Sequence, residues 1–353
     1  MVKKRQKTTK QKKKRGEIKK KSLRKIASEL RMDLVSNDWV IVATGRAKRP
    51  QTFAKHKKAT KTLPQKDCFF CKDSILEGGV THRINKSDGN WSVISIPNKY
   101  PAFSPGENLN PRKEGPHRIM DGVGFQEVII TADHHRQLAE FTKAEAKQVV
   151  DTYQARYLDL MNKKFIKYIS IFHNHGREAG ASVVHPHSQL IAIPVIDPHL
   201  RSSVGGAESY HRSQGKCVYC TMLEWDFKDG RRIIYENDMF VALCPFASQV
   251  SFEVRVYPKN HSSYFERMTE DEKWLFAEAM QKALQAIYKG LNDPSYNFYI
   301  HTSPCDGANY DHYHWHLIII PKTGIWAGFE LGTGIEISTI EPENAAEFLK
   351  KQL

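Results

Sequence analysis

Long apolar runs are missing from this sequence of 353 residues. No stretch approaches the roughly 20 apolar residues that a membrane-spanning helix needs. The basic N-terminus is also not followed by the apolar segment of a secretory signal. Both absences argue against membrane insertion and secretion, so we expect a cytoplasmic protein with no membrane partner.

Acidic residues are nearly absent from the start of the chain. Residues 3–25 contain 14 Lys or Arg against the single Glu17, which is +13 of the formal net charge of +14. The remainder is almost neutral, so the charge does not indicate a nucleic-acid footprint over the whole protein. We predict that residues 1–30 form a basic, disordered tail, because such a run cannot bury apolar surface. Its partner is RNA, acidic lipid or nothing specific, and the last alternative is favoured.

Cysteines are few, and four of the six occur as two Cys-x-x-Cys pairs. The pairs are Cys68–Cys71 and Cys217–Cys220. In a reducing compartment such pairs indicate metal sites or redox centres before disulfides. Neither pair stands at the start of an obvious strand–helix redox motif, and two distant pairs favour zinc. Each pair still needs two more ligands.

The candidate ligands repeat in the two halves of the chain. The first pair is followed by His134 and then by His185 in "HPHSQL", and the second by His261 and then by His314 in "DHYHWHLIIIP". The interval from the middle to the last histidine is 51 residues in one half and 53 in the other. Each middle histidine follows a Glu-Val strand and is expected to open an amphipathic helix. Two copies of one module are the economical interpretation, with modules over residues 31–200 and 201–353.

Two Cys2His2 sites follow from this repeat. Four protein ligands close the tetrahedral shell of zinc, so each predicted site is structural. Unrelated cysteines and histidines are the alternative at the first site. At the second, "HYHWH" offers three candidate histidines, and iron is an alternative metal. The predicted ligands are Cys68, Cys71, His134 and His185, and Cys217, Cys220, His261 and His314.

The segment "HNHGREAGASVVHPHSQL", residues 173–190, carries the chemistry. On an extended strand His185, His187 and Gln189 project from one face. Pro186 predicts a sheet edge or an irregularity, because it donates no backbone hydrogen bond. If His185 binds the metal, His187 is free and suits nucleophilic attack on phosphorus. Gln189 can then donate to a phosphoryl oxygen, and the preceding glycines and serine can present amides to phosphate.

This segment, with "RMDLVSNDWVIVATGRAKRP" and "SIPNKYPA", resembles the galactose-1-phosphate uridylyltransferase branch of the histidine-triad superfamily from about residue 31 onward. The resemblance implies an α+β fold of two fused histidine-triad-like modules, each an antiparallel sheet with packed helices. It implies ping-pong transfer, in which the second histidine of H-P-H attacks the α-phosphorus of a nucleotide-sugar such as UDP-glucose. Sugar 1-phosphate leaves, and a hexose 1-phosphate collects the nucleotidyl group. A homodimer is expected on the same ground.

The resemblance also implies roles for individual residues. His187 is the nucleophile and Gln189 its phosphoryl partner, and the metal lies on the first Cys2His2 set. The implied substrate-binding residues are Arg46, Arg49 and Asn98 near the nucleotide, Asn174, Gly180 and Ser182 around the phosphates, and Phe329 and Glu330 on the sugar side.

Several alternatives remain open at the level of the sequence. "AGFELGTG", "PKNHSS" and the second Cys-x-x-Cys pair are more similar to the ADP-glucose phosphorylase subgroup, which transfers an adenylyl group to phosphate. A nucleotide hydrolase using the same histidine and a zinc-stabilised RNA-binding module are further alternatives. His316 lies two residues after His314, but Leu317 and Ile318 follow it instead of an amide, which favours packing or ligation over catalysis.

Overall fold

The computed structural model describes residues 28–43 and 63–353. Nearly all of the predicted tail, as well as Arg46 and Arg49, lies outside the described residues. Within those ranges no helix is both long and apolar enough to cross a membrane.

Short strands dominate the described part of the chain. The strands are β1 Glu29–Met32, β2 Trp39–Val42, β3 His82–Asn85, β4 Trp91–Pro97, β5 Arg112–Glu114, β6 His117–Ile119, β7 Phe125–Thr131, β8 Tyr168–His175, β9 His187–Ile193, β10 Ile233–Glu236, β11 Phe240–Leu243, β12 Val254–Pro258, β13 Tyr296–His301, β14 His316–Pro321 and β15 Ile337–Ser338. The helices are α1 Lys143–Leu160, α2 Pro198–Gln214, α3 Val218–Asp229, α4 Glu270–Gly290, α5 Gly328–Thr333 and α6 Pro342–Lys350.

One ten-stranded antiparallel sheet runs through both halves of the chain, in the order β10-β11-β12-β14-β13-β8-β9-β7-β4-β3. Each half contributes five strands, and in each the fifth strand lies between the third and the fourth. The halves meet where β8 pairs with β13. This shared order confirms the α+β fold with an internal pseudo-repeat, whereas the module boundary near residue 200 stays a prediction.

Equivalent helices cover one face of the sheet in the two halves. Helix α1 begins after Thr142 and α4 after Thr269, and each threonine forms a reciprocal capping box with the glutamate three residues on. Such a cap contributes about 1 kcal/mol. The two helices pack on each other and on the sheet around Tyr153, Phe276 and Trp315. Each helix begins nine residues after its middle histidine, so the expectation that these histidines open a helix is wrong: a short 3-10 helix, Leu138–Glu140 or Phe265–Arg267, lies in between.

The opposite face of the sheet is covered differently in each half. In the first half, alternate residues of β4 and β7 pack against the segment around Cys68 and Phe70. In the second half, α2 and α3 pack on β11 and β12 with Val35 from the N-terminal hairpin. The candidate site lies on this face, away from α1 and α4.

Candidate active site and metal centres

The first Cys/His cluster gathers four side chains from three distant segments. The ligand atoms of Cys68, Cys71, His134 and His185 all lie within 4.8 Å of one another. The two histidine Nδ1 atoms are 3.2 Å apart, and the Cys71 Sγ lies 3.2 and 3.3 Å from them. A zinc ion with bonds of about 2.0 Å to nitrogen and 2.3 Å to sulfur has tetrahedral edges of about 3.3–3.8 Å. The cluster therefore has the size of one tetrahedral ion.

Backbone carbonyls decide which imidazole nitrogen faces this cluster. His134 Nε2 donates to the carbonyl of Leu63 at 2.7 Å, and His185 Nε2 donates to the carbonyl of Thr131 at 2.7 Å. A neutral imidazole carries one proton, so both Nδ1 atoms keep a lone pair directed at the sulfurs. Burial lowers the pKa of His185 to about 4, which favours the neutral form that a metal binds.

The second cluster repeats this arrangement with Cys217, Cys220, His261 and His314. The Cys220 Sγ lies 3.4 Å from the Nδ1 of His261 and 3.6 Å from that of His314. Both Nε2 atoms again donate to backbone carbonyls, at 2.7 and 3.0 Å. Of the three histidines in "HYHWH", the structure brings His314 into the cluster. The described residues thus form two sites that could each hold a metal ion.

His187 is the first residue of β9 and is held by the backbone of the neighbouring ligand. Its Nδ1 lies 2.9 Å from the carbonyl oxygen of His185, so Nδ1 carries the proton and Nε2 keeps the lone pair. The rings of Phe70 and His187 pack in a T-shaped arrangement, with 5.1 Å between centroids. Burial lowers the pKa of His187, which favours the neutral ring.

Pro186 lies just before β9, and β9 is an interior strand between β8 and β7. The predicted sheet edge is therefore wrong, and the pairings of β9 with β7 and β8 show no register shift, so Pro186 lies outside the strand and not at a bulge. The missing N–H of proline disturbs no ladder at this position, because the pairing with β7 ends at His187 and Ile130. The nucleophile candidate consequently stands at the end of an interior strand.

Gln189 shares the face of His187, and its amide is oriented by Gln126. The backbone N–H of Ala102 donates to Gln126 Oε1 at 2.7 Å, so the other terminal atom of Gln126 is the amide nitrogen. That nitrogen donates to Gln189 Oε1 at 3.2 Å. Gln189 therefore keeps its own NH2 group for another acceptor. The sequence does not reveal Gln126, because its proximity depends on the register that pairs Val128 with Gln189.

The predicted phosphate residues lie at the end of β8 and on the loop that leads from β8 to β9. Asn174 is near the end of β8, its Oδ1 accepting from Asn297 Nδ2 at 2.8 Å. Gly180 adopts φ +87°, in the left-handed region that favours glycine, and Ser182 is exposed on the same loop. Asn98 follows β4, and its side chain accepts from the N–H of Tyr100 at 2.9 Å.

The residues predicted for the sugar side lie on the short helix α5. Glu330 accepts from the N–H of Ala327 at 3.0 Å, and Phe329 is 46% exposed. Among the described residues, no hydrogen bond joins this helix to the segment of His187 and Gln189.

The second half reproduces the backbone geometry of His187 without an amide two residues later. His316 Nδ1 donates to the carbonyl of His314 at 3.0 Å, as His187 does to its own neighbour. Two residues on stands Ile318, where β9 has Gln189. The ring is 1% exposed and stacks on Tyr257 at 4.8 Å. This geometry supports packing and not catalysis.

Comparison with known proteins places this fold and site in a family. A family model described as galactose-1-phosphate uridyl transferase, N-terminal domain, matches residues 17–196, and one for a domain of unknown function (DUF4921) matches residues 125–353. The ADP-glucose phosphorylase of Arabidopsis thaliana is 34% identical over 331 residues, 92% of each chain. The galactose-1-phosphate uridylyltransferase of Thermotoga maritima is 29% identical over 334 residues, 92% of this chain and 98% of the relative.

Solved structures agree with these relatives. The crystal structure of an Arabidopsis thaliana ADP-glucose phosphorylase with bound ADP-glucose has a TM-score of 0.76 at 32% identity, covering 92% of this chain and 99% of that one. A uridylyltransferase structure has a TM-score of 0.71 at 24% identity, covering 92% and 97%, and supports the fold alone. The chain is a nucleotidyltransferase. It belongs to the galactose-1-phosphate uridylyltransferase family, as the sequence motifs indicated.

Proposed function

We propose that the protein transfers a nucleotidyl group from a nucleotide-sugar to an acceptor phosphate through a covalent intermediate on His187. The tautomer of this histidine carries the proposal. The Nδ1–H bonded to the His185 carbonyl leaves the Nε2 lone pair for attack, and Gln189 stands two residues on along the same face.

Bond making and breaking at His187 balance without a proton transfer at this residue. Nε2 attacks the α-phosphorus, and the bond to the bridging oxygen breaks, so sugar 1-phosphate leaves with the electron pair. The ring is then positively charged, since Nδ1 keeps its proton, and the carbonyl of His185 stabilises that charge. An oxygen of the acceptor phosphate then attacks the same phosphorus, and Nε2 recovers its lone pair.

The surrounding residues take the roles that the family motifs suggest. The free NH2 group of Gln189 donates to a non-bridging oxygen as negative charge shifts there. Asn174, Gly180 and Ser182 hold the phosphates. The proposal extends to Arg46, Arg49 and Asn98 at the nucleotide and to Phe329 and Glu330 at the sugar.

We also propose that zinc is the metal bound by both clusters. Two thiolates and two imidazoles, each with its remaining N–H bonded to a carbonyl, are a zinc donor set. A bound ion supplies a structural crosslink, because four protein ligands fill its shell. Such reduced cysteines support a cytoplasmic enzyme, and we retain the homodimer expected from the family.

Two donor and acceptor pairs are proposed in order. ADP-glucose with inorganic phosphate comes first, supported by the 34% identity to the ADP-glucose phosphorylase. UDP-glucose with hexose 1-phosphate comes second, supported by the 29% identity to the Thermotoga maritima uridylyltransferase.

Intact-protein mass spectrometry after brief incubation with one nucleotide-sugar tests the proposal. ADP-glucose, UDP-glucose and UDP-galactose are each supplied alone, with His187→Ala as the control. An adenylyl-sized adduct on the wild type supports the phosphorylase, and a uridylyl-sized adduct supports exchange between sugar phosphates. An adduct lost equally fast without acceptor indicates a hydrolase, and no adduct with any donor overturns the proposal.

A further inference from the structure

The connection between β8 and β9 is a tight loop whose shape depends on its first residue. Gly176 has φ +79°, and its carbonyl accepts from the N–H groups of Ala179 and Ala181 at 3.2 and 3.1 Å. Gly180 closes the turn by donating to Arg177 at 3.0 Å. The position of the loop therefore depends on the residue that fixes the chain next to Gly176.

That residue is His175, the last residue of β8, and the second half of the chain holds it. His175 Nε2 donates to Asp293 Oδ1 at 2.6 Å, between α4 and β13. The two residues are 4% and 3% exposed, so the bond is shielded from water. The ring of Tyr296 lies against the imidazole, with 4.9 Å between centroids.

The turn that presents Asp293 is conformationally costly. Asn292 and Asp293 both adopt the left-handed region, at φ +60° and +57°. Asparagine and aspartate tolerate this region better than most residues, but it is still less favourable than the right-handed and extended regions. The chain accepts this cost where the carboxylate reaches His175.

Asn297, also from the second half, holds the same loop at another point. Its Nδ2 lies 2.8 Å from the carbonyl of Ala179 and 2.8 Å from Asn174 Oδ1. Asn174 and Asn297 are register partners in the central pair of strands, β8 and β13. The second half thus holds the loop at two points: Asp293 binds His175 just before the loop, and Asn297 binds Ala179 in its middle.

The loop borders a cavity suited to an anion. This cavity of about 310 Å³ is lined by residues that include His175, Arg177 and Ser182. No carboxylate occurs among the described residues that line it. Basic, amide and hydroxyl groups without a facing carboxylate favour phosphate oxygens.

We infer that His175 and Asp293 are positioning residues for the phosphates of the nucleotide-sugar. Together with Asn297 they place the loop whose residues contact those phosphates, so the second half of the chain sets substrate binding in the first. The inference rests on the function proposed above.

Single-turnover adduct formation at increasing ADP-glucose or UDP-glucose, whichever labels the wild type, tests the inference. Asp293→Ala is compared with Asp293→Asn, which keeps an oxygen acceptor, and with the matched control Asp238→Ala at an exposed position. Losing one hydrogen bond to a charged group predicts a rise of about tenfold or more in the half-saturating concentration for Asp293→Ala. We expect a smaller rise for Asp293→Asn and none for Asp238→Ala, with metal content unchanged.

The outcomes separate this inference from the function beneath it. A folded, metal-loaded Asp293→Ala protein that melts lower but keeps the wild-type half-saturating concentration shows a purely structural role and overturns the inference. If Asp293→Ala does not fold, Asn297→Ala takes its place with the same criterion. A wild-type protein that forms no adduct overturns the proposed function and the inference together.

Discussion

Exchanging one amide for a carboxylate at Gln126 should reverse the orientation of Gln189. In Gln126→Glu, one carboxylate oxygen still accepts from the N–H of Ala102, which lies 2.7 Å from the present oxygen. The second oxygen replaces an amide nitrogen that donates to Gln189 at 3.2 Å. Two acceptors would then face each other, so Gln189 rotates its amide and presents Oε1 to the substrate.

The size of the effect follows from what the flip removes. A lost phosphoryl donor costs about 2–4 kcal/mol in the transition state, which is about 30- to 1000-fold in rate. Gln126→Leu removes the orienting bond without forcing the flip. It should cost only about 0.5–1.5 kcal/mol, or about two- to tenfold.

Rapid-quench measurement of adduct formation in a single turnover separates the two variants. The carboxylate could also repel the substrate directly, so both substitutions are repeated on Gln189→Ala in a double-mutant cycle. With Gln189 absent, Gln126→Glu should cost little more. Equal rates for the Glu and Leu variants would refute the idea that Gln126 orients the amide of Gln189. An undiminished loss of rate for Gln126→Glu in the Gln189→Ala background would refute it as well.

Four further outcomes are expected. His187→Ala should lose turnover while keeping metal content and urea midpoint, whereas His185→Ala should lose one bound ion by elemental analysis and unfold at lower urea, because it opens a closed shell; the reverse pattern would invert the two roles. Arg156→Met should lower the free energy of unfolding by about 3–5 kcal/mol, since it removes the counter-ion of the Glu127 carboxylate, which is 4% exposed and accepts two bonds from Arg156 at 2.8 Å. Replacing both partners with methionine should recover most of that loss in the same urea titration. A chelator should release metal in two phases, because His261 is exposed while both histidines of the first cluster are buried, and a dye assay with one phase would contradict this.

The two Cys/His clusters could be predicted from the sequence because the spacing of their residues is repeated. The pattern of Cys-x-x-Cys, middle histidine and last histidine occurs twice, and the structure brings the four residues of each set together in a cluster of their own. The common face of His187 and Gln189 could be predicted because alternate residues of a strand share a face. These inferences use local periodicity or a repeat, which a single sequence displays directly.

The supporting residues could not be predicted from the sequence, since their contacts depend on the register between strands that lie far apart in the sequence. Gln126 meets Gln189 only because β7 pairs with β9, and Asp293 meets His175 only because β8 pairs with β13. Pro186 illustrates the converse error. Proline has no N–H and cannot donate a hydrogen bond to a neighbouring strand. A position just outside a strand end accommodates this lack as well as a sheet edge does.

The pairing of β8 with β13 has a consequence for synthesis of the protein. His187 and Gln189 leave the ribosome long before β13, whose residues lie more than 100 positions beyond their partners in β8. Until then, β8 is an open strand edge beside an unfinished loop, and such edges promote association with other chains. Nascent chains should therefore be inactive and prone to aggregate until β13, which ends at residue 301, has been translated and has paired with β8. Arrested translation just before and just after β13 should mark the onset of both solubility and adduct formation.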